Sequence, residues 1–215
     1  RCMFWGNRAD DSDTTLTRAF DLTGTTHATL EYWTWYHIEA LWDYGYVTVS
    51  TDGGRTWTIL ETPNTTRENP HSNAYGPGYT GRSGGDAEPA WLQERLDLTP
   101  YAGRQVMVRF EYVTDDVTLQ PGFAIDDVAI PEIGYAEGFE EDDDGWVSAG
   151  WIRHDNVLPQ RFVVQMIEVN EDGTARVFRV LGPEDPPRRA WEIKLDDEVS
   201  EVVVVVAGLA PATTE

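Results

Sequence analysis

Hydrophobic and polar positions alternate along most of the chain with the two-residue period of β-strands, whereas helical periodicity is nearly absent. In Ala28–Ile38 aromatic side chains fall on both faces, which predicts a central strand covered on two sides. Asp52-Gly53-Gly54 predicts a hairpin turn, because glycine adopts the positive φ that tight turns need. Strands are predicted at Leu16–Phe20, Tyr46–Ser50, Thr56–Leu60, Leu92–Leu98, Gln105–Thr114 and Phe123–Ile130.

The character of the chain changes after the acidic run Glu140–Asp144. Four more strands are predicted beyond it, at Arg161–Val169, Ala175–Leu181, Ala190–Leu195 and Glu201–Leu209, with a loop at Gly182–Pro187. We therefore predict an all-β protein, with a β-sandwich over residues 1–155 and a small four-stranded β-domain over residues 156–215. The alternative is that the last strands complete one larger sandwich.

Composition and charge narrow the classes of partner. The 215 residues are 40% hydrophobic with nine Trp, which is ample for a packed core. The formal net charge of -22 disfavours nucleic acid and favours divalent cations such as Ca²⁺ as counterions. Solubility alone is the alternative explanation of this charge. The longest apolar run, Val202–Ala207, is too short for a membrane span.

The chain has a single cysteine, Cys2, so an intrachain disulfide is excluded. It begins at Arg1 without a signal-peptide pattern, and we expect it to be a piece of a longer protein.

Catalytic patterns are missing from the sequence. None of the four histidines begins the HExxH motif of zinc peptidases, and Cys2 has no identifiable histidine partner. The 38 acidic residues always offer carboxylate pairs, so a stand-alone hydrolase is a remote alternative without a specific signal.

Ser50–Trp57 matches the Asp-box pattern S-x-D-x-G-x-T-W. A single copy favours a structural hairpin over a sialidase propeller, which carries several copies. Trp33, Trp35, Trp42 and Trp57, with Tyr36, are interpreted as inter-sheet core; the alternative is a sugar-stacking platform.

Asp126 and Asp127 are adjacent carboxylates within the apolar strand Gly122–Ile130, so at least one must lie near buried surroundings. Either a Ca²⁺ ion or an arginine (Arg18 or Arg109) could neutralise them. Asp10 and Asp13 could complete such a site. Glu39 and Asp43 form a second candidate pair for calcium, with a solvated loop as the equal alternative.

Several motifs occur in the order found in one protein family. They include Leu16–Gly24, Ala28–Leu30, Trp35–Glu39, Trp42–Val47, Ser50–Trp57, Gly78–Gly81, Trp91, Asp97–Gly103 and Gly122–Ile130. The chain resembles, over about residues 3–131, the MAM-like jelly roll of immune inhibitor A-type (M6) metallopeptidases, and Gly145–Val169 resembles the segment that follows it.

The resemblance implies an extracellular, calcium-stabilised sandwich with Asp126 as the favoured calcium ligand. It also implies a bacterial, secreted parent enzyme whose zinc-containing catalytic domain is absent here, and a first strand that is truncated. We therefore expect a non-catalytic accessory region that packs on that catalytic domain and engages a protein or glycan ligand. The alternative function is a carbohydrate-binding jelly-roll module.

Overall fold

The computed structural model describes residues 1–85, 87–157, 162–181 and 198–209. The all-β prediction is confirmed, since these residues form antiparallel strands and two short 3₁₀ turns, at Thr99–Tyr101 and Pro131–Ile133. The strands are β1 (Met3–Trp5), β2 (Asp13–Asp21), β3 (Thr29–His37), β4 (Tyr44–Ser50), β5 (Thr58–Leu60), β6 (Leu92–Asp97), β7 (Gln105–Val113), β8 (Gly122–Ile130), β9 (Tyr135–Glu137), β10 (Val147–Ala149), β11 (Ile152–His154), β12 (Phe162–Asn170), β13 (Ala175–Leu181) and β14 (Val199–Gly208).

The chain divides into two compact units, Arg1–Asn156 and Val157–Glu215. The first unit contains two antiparallel sheets. Sheet A has the strand order β11-β1-β8-β3-β6, with β9 added beside β8. Sheet B has the order β10-β2-β7-β4-β5. Their inward side chains form one shared hydrophobic core, which makes this unit a β-sandwich.

Strand β3 shows how alternation produces the sandwich. It lies between β8 and β6, as its aromatic content predicts, and its inward residues Leu30, Tyr32 and Tyr36 are buried. Its outward face is less well covered than expected, because Trp33 is 36% exposed. The strand is therefore central within sheet A but fully buried on only one side.

Phe123 lies at the centre of an aromatic cluster between the sheets. Its ring centroid is 5.6 Å from those of Tyr79 and Trp151, and 6.3 Å from that of Tyr112. A Cβ atom at Gly45 would approach the Phe123 ring to 3.0 Å, so β4 needs glycine at this position. The cluster fixes β8 of sheet A against β4 and β7 of sheet B.

The second unit contains a three-stranded antiparallel sheet in the order β13-β12-β14. Among the described residues of this unit, the buried hydrophobic side chains are Val164, Met166 and Leu181. The strand predicted at Ala190–Leu195 and the loop predicted at Gly182–Pro187 lie outside the described residues. Within the described part of the chain, no helix has the length and hydrophobicity needed to cross a membrane.

Replacing Phe123 by alanine is expected to lower the free energy of unfolding by about 3–5 kcal/mol, because it empties the centre of the aromatic cluster. Urea denaturation measures this change. The control is Val147→Ala on β10, where the side chain is 69% exposed and the expected change is below ~0.5 kcal/mol. Equal effects of the two substitutions would contradict the central position of Phe123 in the core.

Candidate metal centre

Three acidic segments meet at one end of sheet B. Strand β7 pairs with β2 and with β4, and the register places Asp13 opposite Val113 and Val113 opposite Tyr44. The start of β2, the end of β7 and the start of β4 therefore lie side by side. The segment before β4 carries Asp43, and the segment after β7 carries Asp115.

Glu39, Asp43 and Asp115 form a cluster in which one carboxylate oxygen of each lies within 4.8 Å of the others. Asp43 is the buried member, with 2% of its surface exposed. Its Oδ1 accepts a hydrogen bond from the Asp115 backbone N–H at 3.1 Å, and its Oδ2 accepts one from the Tyr112 hydroxyl at 3.3 Å. We call this group the 39–43–115 cluster.

A tight turn holds two members of the cluster together. The Asp43 N–H donates to the Glu39 carbonyl at 3.1 Å, and Leu41 between them has a left-handed φ of 66°. The Thr80 hydroxyl donates to the Glu39 carbonyl at 3.2 Å and accepts from the Leu41 N–H at 2.7 Å. A bulky residue in this conformation is strained, and the Thr80 contacts maintain it.

Burial makes negative charge unfavourable in this cluster. It raises the pKa of Asp43 to about 6, although the hydrogen bonds that this carboxylate accepts oppose the shift. Burial, followed by the charge of Asp115, also raises the pKa of Glu39. Among the described residues, no arginine or lysine forms an ion pair with any of the three carboxylates. The cluster is therefore an acidic site without a cationic side chain in contact.

Carboxylate oxygens at this spacing are suitable ligands for a hard divalent cation. Calcium takes six to eight oxygen ligands at about 2.3–2.6 Å, and several of these are commonly waters or backbone carbonyls. Three carboxylates supply negative charge and leave positions for further oxygens. The residues of the 39–43–115 cluster thus fit calcium.

Asp10 and Asp13 lie at the same end of sheet B and do not contact Asp126. Asp10 is exposed, and Asp13 is close enough to Glu111 to raise the pKa of that glutamate, for which burial is the main cause. The neighbouring Asp11 N–H donates to the Asp115 carbonyl at 2.7 Å. The Asp10–Asp13 segment therefore supports the backbone at Asp115 rather than a site at Asp126.

Asp126 and Asp127 have an arginine partner, but it is neither Arg18 nor Arg109. Arg1 Nε lies 3.4 Å from Asp126 Oδ2, and Arg1 Nη2 contacts Asp127 Oδ1. Arg1 Nε also lies 3.5 Å from Oε1 of Glu140. We call Asp126, Asp127 and Glu140 the 126–127–140 group.

A guanidinium among these carboxylates leaves the arrangement a poor fit for calcium. Burial is the main cause that raises the pKa of Asp126 to about 6; Asp127 and Glu140 add to the rise, while Arg1 opposes it. A positive charge is already present at the oxygens that a metal ion would need. The resemblance-based expectation of calcium at Asp126 therefore disagrees with the contacts of this site.

Part of the acidic run Glu140–Asp144 also forms ion pairs with arginines. Asp143 pairs with Arg153 at 2.8 Å, and Asp144 pairs with Arg18 at 2.9 Å. Arg109, the other arginine considered for Asp126, lies 4.0 Å above the Trp57 ring. The most acidic segment of the sequence therefore tethers other strands through ion pairs.

The Asp-box forms the hairpin turn between β4 and β5. Asp52 Oδ2 accepts from the Thr56 hydroxyl at 2.7 Å, and Asp52 Oδ1 accepts from the Arg55 and Thr56 N–H groups at 3.0 Å. The Trp57 indole donates to the Gly54 carbonyl at 3.1 Å. These hydrogen bonds pair polar groups of the turn with one another, as expected of a structural hairpin.

The tryptophans considered as a sugar platform are not all core residues. Trp57 is covered by Arg109, and Trp35 is half-buried, with its indole donating to the Pro89 carbonyl. Trp33 is 36% exposed and Trp42 is 40% exposed, and the Trp42 ring stacks on His71 at 3.7 Å. Two of the four indoles are therefore accessible at the surface.

Sequence reasoning identified Glu39 and Asp43 but missed Asp115 and Arg1. Asp115 lies in Thr114-Asp115-Asp116 after β7, and no local pattern distinguishes it from the exposed Asp116. The pairing of β7 with β4 is the signal that would have found it.

The fold is a two-sheet β-sandwich with a cluster of carboxylates at one end of sheet B. The family model for the MAM domain of immune inhibitor A-like proteins matches residues 1–156. The chain belongs to this family.

The curated relatives are peptidases that are much longer than this chain. Pre-pro-metalloprotease PrtV of Vibrio cholerae is 29% identical over 127 residues, which are 59% of this chain and 13% of PrtV. Immune inhibitor A of Bacillus thuringiensis subsp. alesti is 29% identical over 146 residues, which are 66% of this chain and 19% of the relative. Bacillopeptidase F of Bacillus subtilis is 26% identical over 103 residues, 48% of this chain and 6% of the relative. The matched region thus spans less than a fifth of each of these proteins.

The raised pKa of Asp43 predicts that stability in the presence of a chelator falls as pH rises from about 4 to about 6. Over this range the unfolded state loses the Asp43 proton while the folded state retains it, so deprotonation favours unfolding. The contribution is at most ~3 kcal/mol, from ~1.4 kcal/mol per pH unit.

Urea denaturation at both pH values measures this effect, with Asp43→Asn as the comparison. In the asparagine variant, the free energy of unfolding should fall less steeply between about pH 4 and about pH 6. The decrease caused by Asp43 should be lost, and the decrease caused by Asp126 should remain. An unchanged slope in the variant would show that Asp43 is not the titrating group.

Proposed function

We propose that this chain is a non-catalytic accessory region of a secreted bacterial zinc metallopeptidase, stabilised by structural calcium at the 39–43–115 cluster. Its partner is the catalytic domain of the same parent protein. Zinc belongs to that domain, and calcium belongs to the region described here.

Family membership and the absence of a zinc motif in the sequence support the accessory role. The chain belongs to the MAM domain family of immune inhibitor A-like proteins, and two relatives carry the names of a metalloprotease and of immune inhibitor A. None of His27, His37, His71 and His154 begins an HExxH motif. Peptide hydrolysis is therefore assigned to a part of the parent protein outside this chain.

The 39–43–115 cluster is the observation that carries the calcium proposal. It places a carboxylate with 2% exposure beside two others, with no arginine or lysine paired to them in the described part of the chain. Burying such charges without compensation is costly, and a bound cation offsets the cost. Calcium bound there would hold the loop before β4 to the loop after β7.

Calcium is expected to raise the thermal unfolding midpoint, because an ion that binds only the folded state stabilises it by mass action. The measurement is thermal unfolding with EDTA and then with CaCl₂ up to ~10 mM. This concentration exceeds the calcium dissociation constants of extracellular modules, which are about 10⁻⁴–10⁻³ M. Asp115→Asn should abolish most of the rise. Asp116→Asn is the matched control, since this neighbour is exposed and outside the cluster.

A rise that persists in Asp115→Asn but disappears in Asp126→Asn would move calcium to the 126–127–140 group. A midpoint in the original chain that is the same with EDTA and CaCl₂ would remove structural calcium from the proposal.

Carbohydrate binding is the second candidate function, favoured by the exposure of Trp33 and Trp91, 36% and 39%, at neighbouring strands β3 and β6. Native electrophoresis in gels containing neutral polysaccharides tests it. Trp33→Ala should lose any retardation, whereas Trp57→Ala, whose ring is covered by Arg109, should keep it. Unretarded migration of the original chain in these gels would eliminate this candidate.

A further inference from the structure

We propose that the guanidinium of Arg1 takes the place of a metal ion in the 126–127–140 group, so that these three carboxylates share one positive counter-charge without calcium. The proposal deepens the proposed function and rests on it for one point, the assignment of calcium to the 39–43–115 cluster. It predicts that the sandwich has one calcium-dependent and one arginine-dependent acidic site.

Arg1 contacts three carboxylates at once. Its Nε is 3.4 Å from Asp126 and 3.5 Å from Glu140, and its Nη2 contacts Asp127. These contacts raise the pKa of Arg1, with the hydrogen bond to Asp127 as the largest cause. A guanidinium has five N–H donors in a plane and can serve several carboxylates at once.

Backbone hydrogen bonds hold Arg1 and the carboxylates close together. The Cys2 N–H donates to Glu140 Oε2 at 3.1 Å, which anchors the residue next to Arg1. Asp127 has a left-handed φ of 48°, and its N–H donates to Asp126 Oδ1 at 2.7 Å. A Cβ atom at Gly138 would lie 3.0 Å from Asp127 Oδ1, so the segment leading to Glu140 approaches Asp127 closely.

The spacing of the carboxylates differs between the 126–127–140 group and the 39–43–115 cluster. In the described part of the chain, that cluster is the group of three acidic residues whose ligand atoms all lie within 4.8 Å of one another. The 126–127–140 carboxylates surround a planar cation instead. A calcium ion would need ligand oxygens at about 2.3–2.6 Å, and Arg1 would have to leave first.

Arg1→Gln tests the proposal, because it removes the positive charge from a side chain that is 60% exposed and leaves the core unchanged. The variant should bind one more equivalent of calcium than the original chain in a calorimetric titration. Its unfolding midpoint in EDTA should be lower than that of the original chain, and calcium should restore it. Arg1→Lys retains the charge and should not gain the second equivalent.

The matched control is Arg95→Gln. Arg95 is 69% exposed and pairs with Glu31 at 2.8 Å, but its surroundings contain no group of three carboxylates within the described residues. This variant should bind the same number of calcium ions as the original chain.

Two outcomes would overturn the proposal. In the first, Asp126→Asn removes calcium from the original chain, which would make Asp126 a metal ligand despite Arg1. In the second, Arg1→Gln binds no additional calcium and unfolds at the original midpoint.

The test is separable from that of the proposed function. Failure of calcium binding at the 39–43–115 cluster appears as an unchanged calcium response in Asp115→Asn. The double variant with Arg1→Gln and Asp115→Asn is compared with Asp115→Asn alone. A calcium-induced rise in the unfolding midpoint that occurs in the double variant but not in Asp115→Asn is due to the 126–127–140 group.

Discussion

The pairing of β7 with both β2 and β4 is the constraint on which the candidate metal centre depends. Its register sets Val113 between Asp13 and Tyr44, so the chain segments just beyond these residues share one edge of sheet B. Asp43 and Asp115 are 72 residues apart in sequence, yet the Asp115 N–H donates to the Asp43 carboxylate. A one-residue slip in this pairing would turn the inward side chains of β7 outward, so the core that fixes the register also fixes the cluster.

Burying carboxylates is a particular difficulty in a protein with 38 acidic and 16 basic residues. Asp126 and Asp43 are both buried, and burial raises the pKa of each to about 6. At Asp126 an arginine supplies the opposite charge. At Asp43 hydrogen bonds from a tyrosine and two backbone N–H groups satisfy the oxygens but bring no net charge. The second arrangement therefore leaves an electrostatic requirement that a free cation can meet.

The sequence was sufficient to predict the long strands of the sandwich, because each one alternates inward apolar residues with outward polar ones. The three-residue strands β1, β9, β10 and β11 were missed, since so short a segment shows no period. Glu39 and Asp43 were found because both are acidic residues of the same loop before β4, four residues apart. Asp115 and Arg1 were missed because their roles depend on long-range pairing: β7 with β4 for Asp115, and β1 with β8 for Arg1.

The density of acidic residues along the chain is a poor guide to which carboxylates lack a basic partner in the fold. Glu140–Asp144 is the most acidic segment, and arginines from elsewhere in the sandwich unit pair with Glu140, Asp143 and Asp144. The 39–43–115 cluster is assembled from less conspicuous residues, and the described residues supply it with no paired arginine or lysine. A site can accept a free cation where the fold brings several carboxylates together without an equal number of arginines. The ratio of carboxylates to arginines at a site depends on the three-dimensional fold and cannot be read from the local sequence. The informative observation is therefore that, among the described residues, no arginine or lysine forms an ion pair with the 39–43–115 cluster at the end of sheet B.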